Sequence, residues 1–246
     1  MGDNLLAPNG ITAILFDLDG TLRFSRPSYF QAFFDFALQT GATGLAENRQ
    51  AAIRWLHYYW AQSEEMLADR EKFVEQEELF WNNHARRGLI AFGCPPEKAE
   101  ELAPEVNRLF SENYRPEDWI PPEVIETLRT LKEAGFSLGV LSNRTHPFRE
   151  YMEAWGLQPY FDLALAAGEV NCYKPEPEIF LHAVREMGKQ PGETLYVGDN
   201  YYADVIGAQR AGRPAVLVDA EDIFPEADCS VINEIGQLTG LAVDLW

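Results

Sequence analysis

Five short apolar runs are spread along this chain: ITAILF (11–16), FSLGVL (136–141), DLALAA (162–167), TLYV (194–197) and PAVLV (214–218). Each is too short for a helix and apolar at successive positions, which predicts strands buried on both faces. Most are separated by helical segments. PPEVIETLRTLKEAG, 121–135, opens on prolines, sets Val124, Leu128 and Leu131 on one helical face and stops at Gly135. Residues 177–188 and 203–212 repeat the pattern, each ending near a glycine. Strands that alternate with amphipathic helices predict an α/β fold, a parallel sheet covered by helices on both faces.

One interval breaks the alternation. Residues 24–116 offer no convincing strand and carry aromatics at helical spacing, as in SYFQAFFDFAL and AAIRWLHYYWAQ. EEMLADREKFVEQEELFWNNHARRG continues in helix-favouring residues, and RPEDWIPP (115–122) supplies a hinge for the return. The expected organisation is a core of residues 1–23 and 117–246, interrupted after its first strand by a helical module, 24–116. A 246-residue chain with 46% hydrophobic residues is long enough to bury such a core.

Charge and composition narrow the partners. A formal net charge of −19 opposes a phosphate backbone, so nucleic acid is not expected as a partner. A small anionic substrate is compatible if a metal ion or lysine supplies local positive charge. No stretch approaches the roughly 18–20 apolar residues of a membrane span, and MGDNLLAPNG has no leader-like pattern, so a cytoplasmic protein away from membranes is expected. Cys94, Cys172 and Cys229 are odd in number and lack CxxC spacing, against both a disulfide framework and a zinc site.

Polar residues gather where the strands end. Asp17 and Asp19 follow the first run, one residue apart, and in extended chain i and i+2 face the same space. Such a pair suits a nucleophile beside a general acid, or a metal site. Ser142 and Asn143 follow the second run, and a hydroxyl there with adjacent backbone amides suits an anionic oxygen. Lys174, ahead of Pro175 and a helix starting near Pro177, is placed to reach back with its ammonium. Asp199 follows the fourth run and Asp204 opens the next helix. Oxygen ligands of this kind suit a hard cation, magnesium best. Arg23 and Arg26, just past the first aspartates, are candidates for an anionic group of the substrate.

DLDGT, LSN, YKPEPEIF and GDNYYAD, in this order, resemble the four motifs of the haloacid dehalogenase (HAD) superfamily, and the similarity covers nearly all of 11–220. The branch it is most similar to has a helical cap inserted after the first motif and includes phosphoglycolate phosphatase-like and flavin or nucleotide monophosphatase-like members. The resemblance implies a Rossmann-like core and a Mg2+-dependent phosphatase acting on a small phosphorylated metabolite. Asp17 is then the nucleophile that becomes an aspartyl phosphate, and Asp19 the general acid and base. Mg2+ would be held by Asp17, the main-chain carbonyl of Asp19, and Asp199, with Asp204 behind them. Ser142, Asn143 and Lys174 would grip the phosphate. Dehalogenases of the superfamily lack the second aspartate of the first motif, so Asp19 favours phosphate chemistry. Two positions depart from the pattern: Glu176, where Asp is common, and the stretch Leu22–Arg26, where many relatives are acidic or small. The alternatives on the same scaffold are a phosphomutase or other phosphotransferase, and a non-catalytic binding protein.

Overall fold

The structure, a computed structural model, describes residues 10–43 and 46–240. The first nine residues, read above for a leader-like pattern, lie outside that range. The chain divides into two units, Met1–Phe24 with Ile120–Trp246, and Ser25–Trp119.

The strands among the described residues are β1 (Ala13–Phe16), β2 (Phe24–Arg26), β3 (Glu117–Trp119), β4 (Ser137–Ser142), β5 (Leu163–Ala166), β6 (Thr194–Gly198), β7 (Ala215–Val218) and β8 (Ser230–Ile232). The larger unit is built on a six-stranded sheet of order β5-β4-β1-β6-β7-β8, parallel at every pairing. Phe16 of β1 stands opposite Val140 on one side and Val197 on the other. From β1 the chain works outward through β4 to β5, then crosses back to β6 and works outward the other way. Such a reversal marks the carboxyl ends of the central strands β1, β4 and β6 as the place where parallel sheets bind ligands.

Strand alternation sorts the two faces. Ile14, Phe16, Leu138, Val140, Leu195, Val197, Val216 and Val218 share one core cluster with Val124, Leu128 and Leu131. These last three come from α6 (Pro122–Glu133), whose apolar stripe is the one the sequence pattern anticipates. On the other face Tyr196 meets Phe180 edge-on, ring centroids 4.9 Å apart. Phe180 belongs to α9 (Pro177–Glu186); between α6 and α9 in the sequence come α7 (Arg149–Ala154), whose Met152 joins the first cluster, and the short α8 (Ala167–Val170). With both faces covered, all four residues of β1 are buried.

Three features depart from the sequence expectation. β8 was not anticipated, because SVI is an edge strand with only Ile232 buried and lacks a continuous apolar run. The interval read as free of strands begins with β2, which pairs with β3 inside the expected return hinge. Strands of three residues carry too little pattern to be seen. The expected helix at 203–212 starts early, as a π-helical turn Tyr201–Val205 that passes into α10 (Ile206–Arg210).

The second unit is helical: α1 (Tyr29–Gln39), α2 (Arg49–Trp60), α3 (Glu64–Lys72), α4 (Glu77–Ala91) and α5 (Pro96–Asn113). Its core holds Phe33, Leu89, Phe92 and Val106. Gly88 lets α4 come close to α1, since a Cβ there would lie 2.7 Å from the Phe33 ring. Of the aromatics at helical spacing, Phe33 and Tyr59 are buried, whereas Tyr58 is exposed. His84 is enclosed by Tyr29, Trp55, Tyr59, Trp60 and Trp81. No helix among the described residues is long and apolar enough to cross a membrane.

Candidate active site

Asp17 lies one residue past β1, and its N–H still donates to Val197 O at 2.8 Å. The chain thus keeps strand geometry one step further, while Leu18 joins Phe16 in the core cluster. A turn closes at once, with the N–H groups of Leu22 and Arg23 both donating to Leu18 O. Gly20 in this turn has φ of +100°, and a Cβ on it would fall 2.3 Å from Asp199 Oδ2. Only glycine satisfies both the backbone and the approach of that carboxylate. Thr21 Oγ1 donates to Asp199 Oδ1 at 3.3 Å, tying the turn to the end of β6.

The centre of the cluster is Lys174. Its Nζ donates to Asp17 Oδ1 and Asp204 Oδ1, both at 2.6 Å, and to the Tyr196 hydroxyl at 3.0 Å. The Tyr196 hydroxyl is also 3.2 Å from Leu141 O. Asn143 holds the lysine loop in place: its Nδ2 donates to Lys174 O at 2.9 Å, and its Oδ1 accepts from Lys174 N at 2.8 Å. The Asn143 side chain, expected on the phosphate, is thereby committed to the main chain of Lys174. Ser142, buried at the end of β4, accepts on Oγ from Arg144 N at 3.3 Å.

Asp204 is carried by the π-helical turn, a geometry frequent at functional sites. Asn200 caps that turn, accepting from the N–H groups of Tyr202 and Ala203 at 3.0 Å. Asp204 Oδ2 accepts from Asn200 N at 2.9 Å, and Gly198 leaves room for it, since a Cβ there would lie 2.3 Å from that oxygen. Both oxygens of Asp204 are therefore engaged by donors of the chain itself.

Carboxylate oxygens of Asp17, Asp199 and Asp204 lie within 4.8 Å of one another. Burial pushes the Asp17 carboxyl up to about 7 against the opposing pull of Lys174, with Asp204 adding to the rise. Asp199 is pushed well above the ordinary carboxylate range by burial, then by the charges of Asp17 and Asp204. Burial by itself would lower Lys174, but Asp17 and Asp204 outweigh it and hold the lysine charged. Fully ionised, three carboxylates facing one ammonium would carry two uncompensated negative charges, the deficit a divalent hard cation fills. The oxygen-only donor set fits Mg2+.

Asp19 sits outside this acidic group. Arg144 forks onto its carboxylate, Nε to Oδ2 at 2.7 Å and Nη2 to Oδ1 at 2.8 Å, and Arg23 Nη1 adds a third contact at 3.1 Å. Arg26, the other arginine singled out in the sequence, lies in β2 with its guanidinium carbon 3.2 Å from the Trp119 ring centroid. The structure thus brings Asp17, Lys174, Asp199 and Asp204 into one cluster and sets Asp19 with Arg23 at its edge. Arg26 belongs to the other unit, Ser25–Trp119.

Thr21, Tyr196 and Arg144 also take part, and the sequence pattern did not single them out. Tyr196 left one signal, a phenol in an otherwise apolar buried strand, whose hydroxyl requires a partner. Arg144 follows directly on Ser142 and Asn143, so its position near the strand end was visible, but its partner was not.

The chain matches the model of the haloacid dehalogenase-like hydrolase family over residues 11–212. It is 30% identical over 216 residues to the phosphoglycolate phosphatase of Salmonella choleraesuis (strain SC-B67), covering 84% of this chain and 80% of that one. It is 32% identical over 232 residues to the glyceraldehyde 3-phosphate phosphatase of Methanopyrus kandleri, covering 90% and 91%. Among solved structures, a HAD phosphatase from Thermococcus onnurineus superposes with a TM-score of 0.55 at 25% identity, covering 94% of this chain and 97% of that one.

Proposed function

This chain belongs to the haloacid dehalogenase-like hydrolases, and we propose that it is a Mg2+-dependent phosphatase that hydrolyses a small phosphomonoester through an aspartyl phosphate on Asp17. The observation that carries the reading is Lys174 Nζ, 2.6 Å from both Asp17 and Asp204 at the carboxyl ends of the central strands. A lysine so placed keeps the nucleophile aimed and offers a positive charge to a phosphoryl group arriving beside it. Asp17 and Asp199, with the main-chain carbonyl of Asp19, would hold Mg2+, which supplies further charge neutralisation for the phosphoryl oxygens when bound.

The chain's own residues account for both half-reactions. Asp17 attacks phosphorus while the departing ester oxygen takes a proton from Asp19. A water molecule then gives its proton to Asp19 and attacks the aspartyl phosphate, releasing inorganic phosphate and restoring Asp17. Ser142 and Lys174 hold phosphoryl oxygens during both steps, and the Ser25–Trp119 module is assigned the role of cap. On this reading the protein is a cytoplasmic enzyme of small phosphorylated metabolites.

The test is release of inorganic phosphate from p-nitrophenyl phosphate and a panel of sugar phosphates, nucleotides, phosphoglycolate and flavin mononucleotide, with EDTA as control. Asp17→Asn is expected to lower kcat by ~10^3-fold or more with the fold retained by circular dichroism. Unchanged release by Asp17→Asn, or none from the wild type with Mg2+, refutes the reading. Accumulation of an isomer in place of phosphate would assign the scaffold to a mutase.

A further inference from the structure

Asp19 enters the proposed reaction as a proton carrier, yet both of its carboxylate oxygens are already occupied by Arg144 and Arg23. The two cations share a support. The guanidinium carbon of Arg144 lies 5.5 Å from the Trp155 ring centroid and that of Arg23 5.9 Å from the same ring. Arg144 is also 5.9 Å from the rings of Phe148 and Tyr151, which flank the start of α7. Phe148 is fully buried, so the shelf is anchored in the core.

Two consequences follow from this arrangement. The aromatic rings beside them give the guanidinium groups a support additional to Asp19. Asp19, for its part, cannot deliver a proton to a leaving oxygen while both its oxygens remain in the fork. When it turns to the ester, the two arginines lose its charge at the edge of the nucleophile's pocket. The Arg144 side chain is 27% exposed and that of Asp19 37%, so the pair is open to a small solute. A planar guanidinium presenting two parallel N–H groups matches carboxylate and phosphoryl oxygens alike, and the group this fork holds here is a carboxylate, that of Asp19.

We infer that Arg144 and Arg23 form the receptor for a carboxylate carried by the substrate close to its phosphorylated carbon, and that Asp19 occupies this receptor between turnovers. Arrival of the substrate carboxylate displaces Asp19 from the fork and frees it for proton transfer. The inference rests on the phosphatase reading above and narrows it to phosphorylated hydroxy acids over phosphorylated alcohols, sugars or aldehydes. Arg144 then touches the substrate, and Trp155 is a positioning residue behind it.

Matched esters test it on the whole protein with Mg2+: 3-phosphoglycerate against glycerol 3-phosphate, and 2-phosphoglycolate against 2-hydroxyethyl phosphate. The wild type is expected to favour each acid over its alcohol by about 100-fold or more in kcat/KM, since the alcohol brings no carboxylate to displace Asp19. Arg144→Met is expected to shrink that ratio by about tenfold or more, chiefly through KM for the acid, and Arg144→Lys to recover part of it. A wild-type ratio near one overturns the inference without touching the phosphatase reading. So does a parallel fall of acid and alcohol in Arg144→Met, which makes Arg144 a support for Asp19 alone. Phosphate release from none of the four esters nor from p-nitrophenyl phosphate overturns both readings.

Discussion

Lys174 separates groups that would otherwise repel. It is 2% exposed, and its ammonium lies between the Asp17 and Asp204 carboxylates, 2.6 Å from an oxygen of each. Lys174→Met keeps the length of the side chain but leaves those carboxylates buried without compensation. Its expected cost is on the order of 3–5 kcal/mol, read as a fall in Tm, and added Mg2+ should restore part of it by neutralising the same charges. At this scale the sequence was informative where chemistry follows a strand directly. Asp17, Lys174, Asp199 and Asp204 could be picked out as polar residues placed after predicted strands. Tyr196 and Arg144 could not, because the role of each depends on what stands opposite it in space: Asp204 and Leu141 for the phenol, Asp19 for the guanidinium.

The helices were legible where one face is buried and the other wet. Val124, Leu128 and Leu131 of α6 are all buried at the 3.6-residue period that the sequence displays. Leu128 is wholly enclosed, so Leu128→Ala is expected to destabilise the protein by about 2–5 kcal/mol in urea unfolding, by lost transfer energy and a residual cavity. The edge strand β8 escaped because one buried residue in three leaves no period to read. The π-helical turn at Tyr201–Val205 escaped because its register depends on the Asn200 cap and the Asp204 hydrogen bonds, not on apolar spacing. In α4 the enclosure of His84 has a measurable effect. Burial lowers its pKa to about 4 from the ordinary 6.5, with Asp69 opposing. As pH falls through 6.5 the unfolded chain gains a proton that the folded chain refuses until about pH 4. The stability contributed by neutral His84 is therefore whole above pH 6.5 and lost toward pH 4. The loss is on the order of 3 kcal/mol, and it should appear as the difference in pH slope between the wild type and His84→Gln in denaturant unfolding.

At the scale of the whole molecule the formal charge of −19 opposes any anionic ester diffusing toward the pocket. Raising ionic strength from about 10 to 200 mM at fixed Mg2+ is expected to raise kcat/KM for a phosphomonoester severalfold, the opposite of an electrostatically steered enzyme, because salt screens the repulsion. A fall in kcat/KM would mean that the local field of Lys174 and the arginines dominates the approach. The sheet order carries a separate consequence for biogenesis. β1 is made early, yet it ends in the middle of the sheet, between strands that begin at Ser137 and Thr194. While the ribosome spells out the entire helical module, AILF waits with both flanks bare and sticky. The emerging polypeptide must be shielded through that interval, because nothing translated before residue 137 is its partner in the finished sheet.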